Sequence, residues 1–366
     1  MSKCAVPAPR GADGRVVPDA AKFPAGLPAT IAYIAARGIR TGIYTAPHGV
    51  TCGGYTGALG HEAIDAAAFV AWGVTAVKLD AGCRTDTSLH DGSLLASIGR
   101  FRDALNTTKR PVVLYVDDGN PISGAKVVNP KQRGVLPNAM TSTHYARSFS
   151  ELAVSWCGAY ANMCKIWFDR YDAFGSLMDN ARQQANLAWF QGPGTFLAPD
   201  QLTVGQGGMS GAEERSELAL YAALGAPMFL SAAPSALTPA QLALVTNPEL
   251  LAINADPDCV MASQVSSIGG GPRAERWATD VWARPLSDGS FAFAVVNRDP
   301  TGNRTATIAF GDGGDGSASD LFPAGAGARG RVRDVLAQRD LGTFTGTWST
   351  VLAPHDAALV RVVLEP

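Results

Sequence analysis

The residues of this chain that could do chemistry sit at the ends of short apolar runs. Within Ala76–Asp80, Lys78 and Asp80 share one face, because side chains alternate along a strand. Pro111–Val116 runs into Asp117 and Asp118. Met163–Trp167 carries Lys165, with Asp169 just beyond it. Asp200 lies in the loop after Thr195–Leu197, and Arg40–Tyr44 ends on Tyr44. A charged lysine on an apolar strand is costly unless it is paired or used. Spacing leaves two readings open: salt bridges lining an interior, or carboxylates and lysines gathered at one rim for acid/base or nucleophilic work on a sugar. A magnesium site would draw on the same carboxylates.

Positioning such a rim requires parallel strands that end at one face. Helical patterns at Ala29–Arg37, Gly60–Trp72, Leu94–Leu105, Tyr171–Trp189 and Ala212–Leu224 alternate with strand-like runs at Arg40–Tyr44, Ala76–Asp80, Pro111–Val116, Met163–Trp167, Thr195–Leu197 and Pro227–Leu230. This alternation predicts parallel βα units. With no GxGxxG after the first strand, a (β/α)8 TIM-type barrel is preferred to a doubly wound sheet. Barrel enzymes place their catalytic groups at the C-terminal ends of the strands. After about residue 260 the texture changes to short runs separated by Gly, Asp and Pro: Ala274–Trp282, Ser290–Asn297, Arg304–Ala309, Arg331–Val335, Gly346–Leu352 and Ala357–Leu364. These predict a C-terminal antiparallel β-sandwich. The expected domains are a barrel at 1–260 and a sandwich at 261–366. Gly269–Gly271 reads as a turn, and Gly311–Asp320 as a loop without the ligand spacing of a calcium site.

Composition narrows the function. The chain has 366 residues, 46% hydrophobic and 17% charged, with a formal net charge of −2. Nothing there points to nucleic acid, and no run of 18 apolar residues points to a membrane. Six cysteines form no CxxC and five histidines form no HxH or HExxH, so neither a metal nor a cofactor is expected. The cysteines read equally well as buried thiols or as disulfide partners.

WGVTAVKLD, residues 72–80, resembles the WGVDYLKYD signature of glycoside hydrolase family 27, the melibiase-type α-galactosidases. RGADGRVVPDAAKFP (10–24) is similar to that family's RDADGRLVPDPxRFP, and GIRTGIYTAPHGVTCGGYTGAL (38–59) to GLKFGIYSDAGTxTCxGxPGSL. GPGTFLAPDQLTVG (192–205) resembles GPGGWNDPDMLxVG, and LLAINADP (250–257) fits the family's NQDP segment. VWARPLSDGSFAFAVVNR and VRDVLAQRDLGTF fit its C-terminal sandwich. The resemblance covers nearly the whole chain. It implies an α/β barrel followed by an antiparallel sandwich, a carbohydrate substrate, and a retaining exo-glycosidase that releases terminal α-galactosyl residues by double displacement. Asp80 matches the nucleophile and Asp169 the acid/base, which would then stand about 5–5.5 Å apart. Tyr44, Lys78, Asp118, Lys165 and Asp200 match sugar-binding positions. Cys52 and Cys83 match a disulfide that braces the nucleophile loop.

Departures from the family pattern widen the reading. Lys165 replaces an arginine, which keeps the charge but loses the bidentate fork. Asp118 is one methylene shorter than the family's Glu, and DPDM has become APDQ. These changes motivate an alternative: a relative acting on another sugar, of isomalto-dextranase or β-L-arabinopyranosidase type. An α-N-acetylgalactosaminidase fits less well, since that specificity needs small residues where Asp118 sits. Ser2 and Lys3 stand where the family has an aspartate pair for the galactose 4- and 6-hydroxyls. The first two barrel strands would precede them, so the expected barrel is one with its N-terminal strands missing. The implied consequence is weak turnover of an aryl α-galactoside, or an inactive carbohydrate-binding remnant. MSKCAVPAPRGADG has no apolar core of a signal peptide. An upstream segment would make the protein a secreted one.

Overall fold

A computed structural model of the chain describes residues 10–82, 93–117, 157–165, 167, 169–185, 187–268, 279–310 and 327–365. The chain forms two compact units, residues 1–168 and 169–366.

In the first unit, helices α1 (Leu27–Ala35), α2 (Glu62–Ala71), α3 (Ser93–Thr107) and α4 (Cys157–Tyr160) alternate with strands β1 (Gly42–Thr45), β2 (Ala76–Asp80), β3 (Val113–Asp117) and β4 (Met163–Lys165). The strands pair in sequence order, all parallel. Alternation along β2 sorts its two faces. Val77 and Leu79 are fully buried, with Phe69, Ile98 and Phe101 also in the core. Lys78 and Asp80 take the opposite face and remain partly exposed. The Phe69 and Phe101 rings, from α2 and α3, lie 6.5 Å apart and tilted. Glu62 and Asp65 stand in the first turn of α2, where a negative charge suits the helix dipole. Both are tied down: Glu62 accepts from Arg100 at 2.9 Å, and the Arg10 guanidinium grips the Asp65 carboxylate and the Gly57 carbonyl.

Cys157 and Cys164 form a disulfide between α4 and β4, with Cα atoms 6.1 Å apart. Sequence spacing alone did not select this pair. It closes a short loop, with a sequence separation of 7. In the chain-entropy account such a closure contributes about 2–3 kcal/mol through the unfolded state. Replacing Cys157 and Cys164 together by Ser should lower the unfolding free energy by about that amount in a urea titration.

The second unit holds α5 (Phe174–Gln184), β5 (Phe196–Leu197), α6 (Gly211–Leu224), α7 (Pro239–Val245), α8 (Pro248–Asn254) and strands β6 to β13. Those strands are β6 (Ser263–Ile268), β7 (Thr279–Pro285), β8 (Phe291–Asn297), β9 (Arg304–Ala309), β10 (Arg329–Asp334), β11 (Arg339–Thr345), β12 (Thr347–Leu352) and β13 (Ala357–Leu364). They make one antiparallel sheet in the order β6-β7-β8-β13-β10-β11-β12-β9. The sheet folds over so that β9 lies against β7 and β8. Val281, Phe293, Val295, Ile308, Phe310, Val332 and Val360 fill the space between its layers. The other face of β7, β8 and β13 is covered by α6. Two-sided burial explains why β8 reads FAFAVVN rather than as a clean apolar–polar alternation. A capping box between Ser210 and Glu213 starts α6, and Gly225 at φ 58° ends it.

Two sequence expectations are corrected by the structure. The helix expected over Tyr171–Trp189 begins at Phe174, because Ala173 is extended at φ −158° and the Tyr171 N–H is taken by Ser176 Oγ. A 3-10 turn at Ala188–Phe190 follows separately. Pro227–Leu230 makes no strand, only an isolated parallel bridge from Leu230 to Leu202. The polar runs SQVSSI and RDLGTFT, outside the strand-like runs read from sequence, are strands β6 and β11. Gly269–Gly271 and Gly311–Asp320 lie outside the described residues.

Candidate active site

Strand register builds the first half of the site. Tyr44, Lys78 and Tyr115 are neighbours across β1, β2 and β3, and one layer further along Asp80, Asp117 and Lys165 are neighbours across β2, β3 and β4. Residues two apart on a strand share a face, so both layers project the same way, at the C-terminal ends of the strands. Lys78 Nζ lies 2.6 Å from Asp117 Oδ2, 5.3 Å from the centre of the Tyr115 ring and 6.0 Å from that of Tyr44. Lys165 Nζ lies 3.2 Å from Asp117 Oδ1, and its side chain is 1% exposed. One carboxylate therefore joins two ammonium groups. Burial pushes the Asp117 carboxyl above the usual carboxylate range, while Lys165 and Lys78 pull it back.

Asp80 is held at both oxygens. The Tyr44 hydroxyl donates to Oδ2 at 2.6 Å, and the Gly82 N–H donates to Oδ1 at 3.0 Å. Burial, and then the neighbouring Asp80 charge, raise the Tyr44 phenol well above its ordinary value, so it acts as a donor across the working pH range. Cys52 is disulfide-bonded, and its sulfur lies 3.6 Å from Asp80 Oδ2. Just past Asp80, the Ala81 N–H donates to the Asp117 carbonyl at 2.7 Å, and the Ala81 carbonyl lies 3.1 Å from His48 Nε2. The loop after β1 that brings His48 there folds tightly on itself. Gly57 approaches so closely that a Cβ would sit 2.0 Å from the His48 carbonyl oxygen.

The second unit carries Asp169 and Asp200. Asp169 is exposed, whereas Arg170, which follows it, is buried. The Arg170 N–H donates to Asp200 Oδ2 at 2.9 Å, and the other Asp200 oxygen accepts from the Gln201 N–H at 2.8 Å. Asp200 has φ 79°, a conformation that costs a residue with a Cβ about 1–3 kcal/mol and must be imposed by its surroundings. Those surroundings come from α6. Arg170 is ion-paired with Glu217, and its Nη2 donates to Thr203 Oγ1 at 2.9 Å. Glu217 accepts from the Thr203 and Val204 N–H groups at 2.8 and 2.9 Å. The Tyr221 hydroxyl lies 3.0–3.2 Å from the carbonyls of Pro199, Asp200 and Gln201.

Of the residues read from sequence, the structure brings Tyr44, Lys78, Asp80 and Lys165 together in the first unit. It places Asp169 and Asp200 on neighbouring loops of the second. Asp118 and Cys83 lie outside the described residues. Asp117, named in the sequence as a strand-end carboxylate but given no role there, joins Lys78 and Lys165. Its signal was present, since it ends the same kind of apolar run as Asp80. His48, Arg170 and Glu217 left no local signal. Among the described residues no group of three His, Cys, Asp or Glu side chains is arranged to hold a metal ion.

Comparison with known proteins gives concordant matches. The family model described as α-galactosidase A covers residues 1–256, and that of the α-galactosidase C-terminal β-sandwich domain covers residues 277–362. Human α-galactosidase A is 30% identical over 322 residues, which are 87% of this chain and 67% of that protein. The chain spans 52% of Aspergillus niger α-galactosidase A. The crystal structure of α-galactosidase I from Mortierella vinacea superposes with a TM-score of 0.79 at 21% identity, covering 97% of this chain and 84% of that one. A β-L-arabinopyranosidase from Geobacillus stearothermophilus gives 0.70 at 18% identity, covering 96% and 80%. At these identities the structural likeness bears on fold alone. That fold is a TIM-type barrel followed by a C-terminal β-sandwich.

Proposed function

Since the chain belongs to glycoside hydrolase family 27, the melibiase-type α-galactosidases, we propose that it is a retaining exo-glycosidase acting on terminal α-galactosyl residues. What carries the reading is Asp80, a carboxylate held at the C-terminal end of β2 by the Tyr44 hydroxyl at 2.6 Å, with two lysines and Asp117 beside it. Asp80 attacks the anomeric carbon while Asp169 donates a proton to the leaving oxygen. A water molecule, deprotonated by Asp169, then releases the sugar from Asp80. Because Tyr44 stays protonated, it stabilises the carboxylate before attack and orients it without competing as a base. Lys78, Asp118, Lys165 and Asp200 bind the sugar hydroxyls. A Cys52–Cys83 disulfide braces the loop beyond Asp80. A disulfide such as Cys157–Cys164 persists in an oxidising compartment, which supports a secreted protein.

The test is the anomer released first from 4-nitrophenyl α-galactoside, followed by proton NMR, with dextran and 4-nitrophenyl β-L-arabinopyranoside assayed beside it. The expected results are α-galactose as first product and the highest kcat/KM on the galactoside. First appearance of the β anomer would overturn retention. Preference for either competing sugar would support a second reading, the isomalto-dextranase or β-L-arabinopyranosidase type. That reading is favoured by Lys165, which meets Asp117 as a point charge where the family has a guanidinium fork.

A further inference from the structure

Arg170 and Glu217 pair inside the second unit, both side chains fully shielded from solvent. A buried ion pair is a poor source of stability, because two apolar groups of similar volume would avoid the desolvation cost. Its specificity lies in what it aligns. Arg170 is bonded in sequence to the exposed Asp169, and its own N–H donates to Asp200 at 2.9 Å. Glu217 gathers the backbone of Thr203 and Val204, while Tyr221, one turn later on α6, gathers that of residues 199–201. One helix face thereby fixes the backbone around the buried Asp200 and, through Arg170, the residue next to the exposed Asp169.

We propose that the Arg170–Glu217 pair is a positioning device for the acid/base carboxylate. Anchoring Arg170 inward sets the direction in which Asp169 leaves the surface, and with it the line along which its proton reaches the leaving oxygen. This rests on the reading of Asp169 as the acid/base. Proton donation matters most when the leaving oxygen is basic, so the device should show in leaving-group dependence.

The experiment compares the parent chain with Arg170→Met/Glu217→Met, which removes both charges together and avoids stranding one. Urea unfolding checks that the variant is folded. The substrates are methyl α-galactoside, whose leaving oxygen needs a proton, and 2,4-dinitrophenyl α-galactoside, whose leaving oxygen does not. The expected result is a fall of about 30-fold or more in kcat/KM on the methyl galactoside and less than about 3-fold on the dinitrophenyl galactoside, within the range that acid catalysis supplies. Arg170→Lys, which keeps the charge without the fork, should fall between parent and double variant. Asp169→Ala is run in parallel and should give the same selective loss, larger, with azide raising kcat on the dinitrophenyl substrate. Equal losses on the two substrates, or no loss, in a folded double variant would overturn the positioning role while Asp169→Ala still shows selectivity. If Asp169→Ala shows none, the acid/base assignment fails and the inference falls with it.

Discussion

Asp80→Asn should lower kcat/KM on an aryl α-galactoside by at least about 10³-fold relative to the parent chain, a loss of about 4 kcal/mol of transition-state stabilisation. The amide is nearly the same size as the carboxylate, and its oxygen can still accept from the Tyr44 hydroxyl. It is, however, too weak a nucleophile to form a glycosyl ester. Stability should change little, because the Val77 and Leu79 face of β2 and its parallel register are untouched. The measurement is steady-state kinetics beside a urea unfolding curve. A variant that unfolds at the parent's midpoint and has lost turnover fits a nucleophile. A variant that keeps more than about a tenth of the parent kcat/KM does not.

Asp117→Ala should be the most destabilising single change in the first unit, by about 3–5 kcal/mol at neutral pH. Asp117 is 4% exposed and lies between Lys165, whose side chain is 1% exposed, and Lys78, whose side chain is 32% exposed. Removing the carboxylate brings two ammonium groups together without the charge between them. Most of the cost falls on the buried Lys165 contact, since water screens the Lys78 contact. Chemical denaturation followed by far-ultraviolet circular dichroism measures it. A shift equivalent to less than about 1 kcal/mol would mean that Asp117 is not what neutralises the lysines. The companion variant Lys165→Met should cost less, because Lys78 still meets the carboxylate at 2.6 Å.

What was legible in the sequence follows the range of the interaction involved. Alternation along Ala76–Asp80 placed Val77 and Leu79 inward and Lys78 and Asp80 at the rim, as the strand has them. The turn from parallel to antiparallel strands could be read from the change in texture after residue 260, although β6 was hidden because SQVSSI lacks an apolar face. Asp117 was named at the strand end but given no role, because the family resemblance points to the next residue, Asp118. Only the register with Asp80 and Lys165 brings Asp117 into the cluster. The Cys157–Cys164 bond needs a turn that brings α4 back onto β4, and six cysteines permit many pairings. Arg170 and Glu217 are 47 residues apart, and only tertiary packing brings them together.

In double displacement Asp80 forms a covalent bond to the sugar. Incubation with a galacto-configured cyclitol epoxide, followed by proteolysis and tandem mass spectrometry, reads this at the residue. One adduct per chain is expected, on the peptide containing Ala76–Asp80 and localised to Asp80, with loss of activity in step with labelling. Stoichiometric labelling of Asp169, Asp117 or any other carboxylate while Asp80 stays unmodified would contradict it.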